Sequence, residues 1–152
     1  MRAVALIGGA LLLSACATFA HEGEPIDFST VARETHSAIQ QAGCRVIEDN
    51  ERFAALWAEL YRSRRPELPM PDIDFERETL VAVFQGQQPT GGYAIEVEAV
   101  QRIGRRAVVY VAQTAPEPDD IVTMALTSPY HVVRFARQEG GVEIRGVAGQ
   151  CR

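Results

Sequence analysis

Few residues in this chain have the types and spacing that catalysis needs. There are three histidines: His21 near the N-terminus, His36 in a stretch of ambiguous periodicity, and His131 directly after Pro129-Tyr130. No Gly-x-Ser-x-Gly elbow and no His-Glu-x-x-His pair occurs, so neither the strained serine nucleophile nor the two-histidine zinc site is expected. Cys44 sits in an apolar stretch and Cys151 is the penultimate residue. A cysteine nucleophile needs a partly exposed thiol with a lowered pKa, and nothing around either points to one. Asp72 with Asp74, and Asp119 with Asp120, could offer oxygens to a hard cation, but the remaining ligands of a cation loop are missing. They read as solvated loop carboxylates. The expectation is a protein that is not an enzyme, with no metal and no cofactor.

The run Gln88-Pro89-Thr90-Gly91-Gly92-Tyr93 poses a sharper question. A glycine loop that cradles phosphate follows a strand and opens a helix, whose N-terminal N–H groups face the anion. Here a strand precedes the glycines and an alternating, strand-like run follows them. The phosphate reading fails on context, and the pair is expected to make a close turn with φ > 0. No small-molecule substrate is expected. The net charge of -5 argues against general attraction to nucleic acid. All 15 basic residues are arginine, which reads as coding bias.

These residues must be positioned by a small β-rich domain. The 152 residues suit one domain, and 47% hydrophobic content suffices for a core. Residues 28–39 are ambiguous: Thr30, Val31 and Thr35 favour a strand, with a helix left open. A turn over 40–43 and a short strand over 44–48 follow. Asp49 or Asn50 can cap a helix in which Phe53, Leu56, Trp57, Leu60 and Tyr61 form one apolar stripe. Trp57 reads as a core anchor within it. Pro66 ends the helix. Leu80-Val81-Ala82-Val83-Phe84 is an unbroken apolar run, expected of a central strand buried on both faces. In the run 93–98, Tyr93, Ile95 and Val97 should face the core, with Glu96 and Glu98 in water. Further strands are expected at 108–111, 130–135 and 142–145, with turns at 102–106 and 138–141, a loop at 116–120, and an extended or irregular stretch at 121–126. The predicted fold class is α+β: a mainly antiparallel β sandwich or partly open barrel with one amphipathic helix packed on it.

The N-terminus addresses the protein elsewhere. Arg2 is followed by an apolar run over 3–13 that is too short to span a bilayer as a mature helix. Leu13-Ser14-Ala15-Cys16 resembles a bacterial lipoprotein signal. That resemblance implies cleavage before Cys16, whose thiol would then carry diacylglycerol, with more than one acyl chain for stable attachment. The other reading is ordinary secretion with cleavage after Ala17 or Ala20. Ala17 stands where an Asp would mark inner-membrane retention, which favours the outer membrane, facing the periplasm. The expected organisation is a signal peptide over 1–15, a lipid-proximal tether over 16–27 and one domain over 28–152. Export leads to an oxidising compartment, where Cys44 and Cys151 either form one bridge or remain free.

Two motifs carry a further resemblance. Gly86-Gln87-Gln88-Pro89-Thr90-Gly91-Gly92-Tyr93, followed by Leu126-Thr127-Ser128-Pro129-Tyr130-His131-Val132-Val133, resembles the PrcB-like C-terminal domain family over roughly residues 44–137. That family is named for a lipoprotein subunit that supports and stabilises the protease of a surface complex. The resemblance implies a non-catalytic, lipid-anchored accessory protein of the cell envelope that binds a partner, a protease or another envelope protein. Its contact residues would be Pro89, Thr90, Gly91, Gly92 and Tyr93 together with Ser128, Pro129, Tyr130 and His131. Tyr93 or Tyr130 would be the buried anchor. A more distant similarity links Pro89-Thr90-Gly91-Gly92-Tyr93 to a loop of chagasin-like cysteine protease inhibitors. Gln88 and the second glycine depart from that pattern, and the glycine-rich middle loop of those inhibitors is missing. An inhibitor, or a purely structural envelope lipoprotein, is the alternative.

Overall fold

A computed structural model describes residues 23–64, 66 and 68–151 of the chain. Cys16, the signal peptide and the first part of the tether lie outside the described residues. Nine strands and one helix are described: β1 (Glu24–Pro25), β2 (Phe28–Glu34), β3 (Gly43–Ile47), α1 (Asn50–Leu60), β4 (Glu78–Phe84), β5 (Ala94–Ile103), β6 (Arg106–Thr114), β7 (Tyr130–Ala136), β8 (Val142–Arg145) and β9 (Gln150–Cys151). They form two sheets, one ordered β1-β5-β6-β8 and the other β2-β7-β4-β3-β9. Most pairings are antiparallel; β3 with β9 and β6 with β8 are parallel. The fold is an open α+β sandwich, not a closed barrel, with the helix as a third layer.

The apolar run of β4 accounts for the layering. Side chains on a strand alternate between its faces. Leu80, Ala82 and Phe84 therefore pack with Phe53, Leu56 and Leu60 of the helix. Val81 and Val83 face the other way, onto Ile95, Val97, Val109 and Val111 of the first sheet. One strand thus serves two cores, and neither of its faces needs a polar residue. Asp49 is the helix cap: its Oδ1 accepts the Arg52 N–H at 2.8 Å. Burying Phe53, Leu56 and Leu60 is worth roughly 1.5–3 kcal/mol each. Trp57 is only partly buried; it packs on the helix-side core and donates its indole N–H to Leu68 O at 3.0 Å. Arg45 of β3 bonds Glu59 of α1 at 2.6 Å, and that bond holds the Glu59 carboxyl below its usual pKa.

One open reading resolves to the favoured strand, and two expectations change. Residues 28–34 are a strand, and 35–42 are irregular. Pairing begins earlier than the expected tether boundary, since Glu24 and Pro25 pair with Arg102 and Gln101. In β5, Ile95 and Val97 are buried as the alternation demands, but Val100 is the next buried residue. The register shifts between Val97 and Ala99, and the bulged Glu98 moves the buried face by one residue.

Candidate functional site

Loops converge at one end of the sandwich. β4 and β5 belong to different sheets, so residues 85–93 cross between sheets rather than closing the hairpin turn that the glycine pair suggests. Their neighbour is the connection over 115–129 between β6 and β7. Fifteen residues without regular structure is long for a compact domain, and such loops are often functional.

Hydrogen bonds join the two loops. The Gln88 N–H donates to Thr127 O at 2.7 Å and the Thr127 N–H to Gln88 O at 3.0 Å, a two-bond bridge. The Gly91 N–H donates to Thr123 O at 2.9 Å, and Thr127 Oγ1 donates to Thr90 O at 2.8 Å. Gln85 adds a bond from its N–H to Pro129 O and one from its side chain to Thr114 O, both at 3.0 Å. Loops held this way lose little freedom on docking.

The glycines permit this contact. A Cβ on Gly91 would lie 2.5 Å from Thr123 Oγ1, and one on Gly92 would lie 2.9 Å from side chains of both Pro116 and Val122. Gly92 also has φ of +84°, in the left-handed region that favours glycine; Gly91 does not share it. Only one of the pair is needed for its backbone, and the other is needed for close approach. Gly92→Ala is therefore expected to cost about 1–2 kcal/mol, measured by urea unfolding. A cost below about 0.5 kcal/mol would mean that the loop re-forms freely without the glycine.

The second motif lies mostly inside the protein. Tyr130 is 0% exposed and His131 2%; Ser128 and Pro129 are buried as well. Tyr130 lies in the helix-side core, its hydroxyl 2.8 Å from that of Tyr61. Burial, then the Tyr61 bond, pushes its pKa far up. His131 ties the two sheets together. Its Nδ1 lies 3.0 Å from the Val97 nitrogen and its Nε2 2.8 Å from Thr30 Oγ1. A backbone N–H only donates, so Nδ1 must accept and Nε2 carries the proton it gives to Thr30. Burial first, then the Arg33 charge, lower the His131 pKa to about 4. Ser128, Tyr130 and His131 are thus packing residues, and Tyr130 cannot be a docking anchor. Of the first motif, Pro89 and Gly92 are exposed, whereas Thr90, Gly91 and Tyr93 are half-buried.

Sequence reasoning passed over what the loop end does present. Ile121 is 104% exposed, Met124 88% and Leu126 62%. All three stand on the 115–129 loop, beside the residues bonded to the glycine turn. Their spacing fits neither a strand nor a helix, and three large apolar residues in such a stretch were the available signal. The paired carboxylates serve local turns. Asp74 Oδ1 accepts the Glu76 N–H at 3.1 Å, and Asp120 Oδ2 accepts the Glu117 N–H at 2.8 Å. Among the described residues, no group of three or more His, Cys, Asp or Glu side chains could hold a metal ion. Cys44 and Cys151 are neighbours across β3 and β9 and are joined by a disulfide.

No curated protein and no solved structure matches the chain. The model of the PrcB C-terminal family matches residues 79–136. That segment runs from β4 through β7; the helix and β3, which the sequence resemblance included, lie outside it. It contains both loops of the joined end, and the match supports a PrcB-like domain there.

Proposed function

We propose that this protein is a non-catalytic accessory subunit of the bacterial cell envelope, anchored through a lipidated Cys16, that binds and stabilises a protease through the loop end. The observation that carries the reading is the exposure of Ile121, Met124 and Leu126 on a loop bonded to the glycine turn. Exposed large apolar side chains grouped on one surface mark interaction sites, and here the backbone beneath them is already ordered. The family match supports association with a protease complex. The inhibitor alternative would have the second motif enter a protease cleft, and that motif is buried.

The test is affinity capture of the tagged full chain from mild-detergent membranes, followed by mass spectrometry. Wild type should enrich one protease. The variant Ile121→Ser/Met124→Ser/Leu126→Ser should lose it about tenfold or more, while its unfolding free energy stays within about 1 kcal/mol of wild type because the residues are exposed. Equal enrichment by the variant, or enrichment of no protease, would sink the proposal.

A further inference from the structure

The chemistry of the loop end restricts what its partner must present, an inference that rests on the docking reading above. Loops 85–93 and 115–129 contain no basic residue, in a chain with 15 arginines. They do contain Glu117, Asp119 and Asp120, all exposed and immediately before Ile121. Many carboxylates elsewhere are matched: Glu24 pairs with Arg102, Glu139 with Arg105, Glu143 with Arg106, Glu48 with Arg137 and Asp74 with Arg77. Glu117, Asp119 and Asp120 pair with no arginine among the described residues. The surface is therefore apolar side chains beside uncompensated negative charge.

The place of the anchor and the sign of the charge favour a protein partner over a lipid one. Gly23 lies against Arg102 and Ile103, at the far end of β5 from Ala94 and the loops. Ten residues of strand put about 30 Å between those ends. From Cys16 to Gly23 the chain reaches at most about 25 Å, so a lipid on Cys16 keeps the Ile103 end within that distance of the bilayer, while nothing among the described residues ties the loop end to it. An anionic membrane surface would also repel the three carboxylates. We infer that the loop end points away from the anchoring membrane and docks Ile121, Met124 and Leu126 into an apolar pocket on a partner protein whose rim carries Lys or Arg.

Ala125 is exposed between two of these residues and can carry a photocrosslinker. The full-length lipoprotein with Ala125→p-benzoylphenylalanine would be irradiated in its own membranes, with and without Glu117→Gln/Asp119→Asn/Asp120→Asn. The amide introduced by Asp120→Asn keeps an oxygen for the Glu117 N–H, so the turn survives. The expected result is one protein adduct at an apolar site flanked by basic residues, with yield falling about tenfold in the neutralised variant and at high salt. A protein adduct of unchanged yield in the variant would overturn the charge inference and leave docking intact. Adducts on phospholipid, or none, would overturn both.

Discussion

Reduction of the Cys44–Cys151 bond should remove about 4 kcal/mol of stability. The bond spans 107 residues, and chain-entropy reasoning gives about 4–5 kcal/mol for a closed loop of that length. It joins strands that already pair, Cys44 to Cys151. The cleanest variant is Cys151→Ser. Cys44 is buried between the sheets, whereas Cys151 is exposed; replacing Cys151 breaks the bond without leaving a core void. Thermal melts should show wild type falling by roughly 10–20 °C on reduction. Cys151→Ser should melt at the reduced temperature, with or without reductant. If reduced wild type, with both thiols titrated free, melts at its oxidised temperature, the bond does not constrain the unfolded chain. Loss of the bond should also free the two-residue β9 from the edge of β3, seen as faster amide exchange in residues 43–45.

The sequence made some of this architecture legible because the deciding information was local. The apolar run of β4 and the stripe from Phe53 to Tyr61 each depend on one element's own period, and both appear as expected. The role of Gly91 was illegible because it depends on Thr123, thirty-two positions on, approaching the loop. The family resemblance makes Ser128, Pro129, Tyr130 and His131 contact residues, and no local pattern reveals that they are buried. Their burial comes from distant partners: Tyr61 is 69 residues from Tyr130, and Thr30 is 101 from His131. Ile121, Met124 and Leu126 posed the opposite problem. Apolar residues are assigned to a core by default, and only the assembled fold shows that no described element covers these three. Local pattern therefore reports what packs along an element, and it misses contacts brought together by topology.

His131 should make the domain acid-labile from a pH well above the range where carboxylates titrate. Its pKa is about 4 in the folded protein against 6.5 for the free side chain. Above pH 6.5 both folded and unfolded chains hold it neutral, and its contribution to stability is full. Below that, the unfolded chain takes up a proton that the folded one refuses until about pH 4. Stability is therefore lost progressively from pH 6.5 to 4, by up to about 3 kcal/mol. The cost has a structural origin. A protonated ring has two donors and no acceptor, so Nδ1 could no longer take the Val97 N–H at 3.0 Å, and the link between the sheets would become a clash of two donors. The comparison is His131→Asn, whose side-chain oxygen can stand near the position of Nδ1 but takes up no proton. Urea unfolding of both proteins at several pH values cancels the carboxylates they share. The stability advantage of wild type over His131→Asn should shrink by about 3 kcal/mol between pH 7.5 and 4. An advantage that stays constant across that range would mean that His131 accepts a proton in the folded domain as readily as in the unfolded chain, and that the Val97 N–H bond to Nδ1 does not hold the ring neutral.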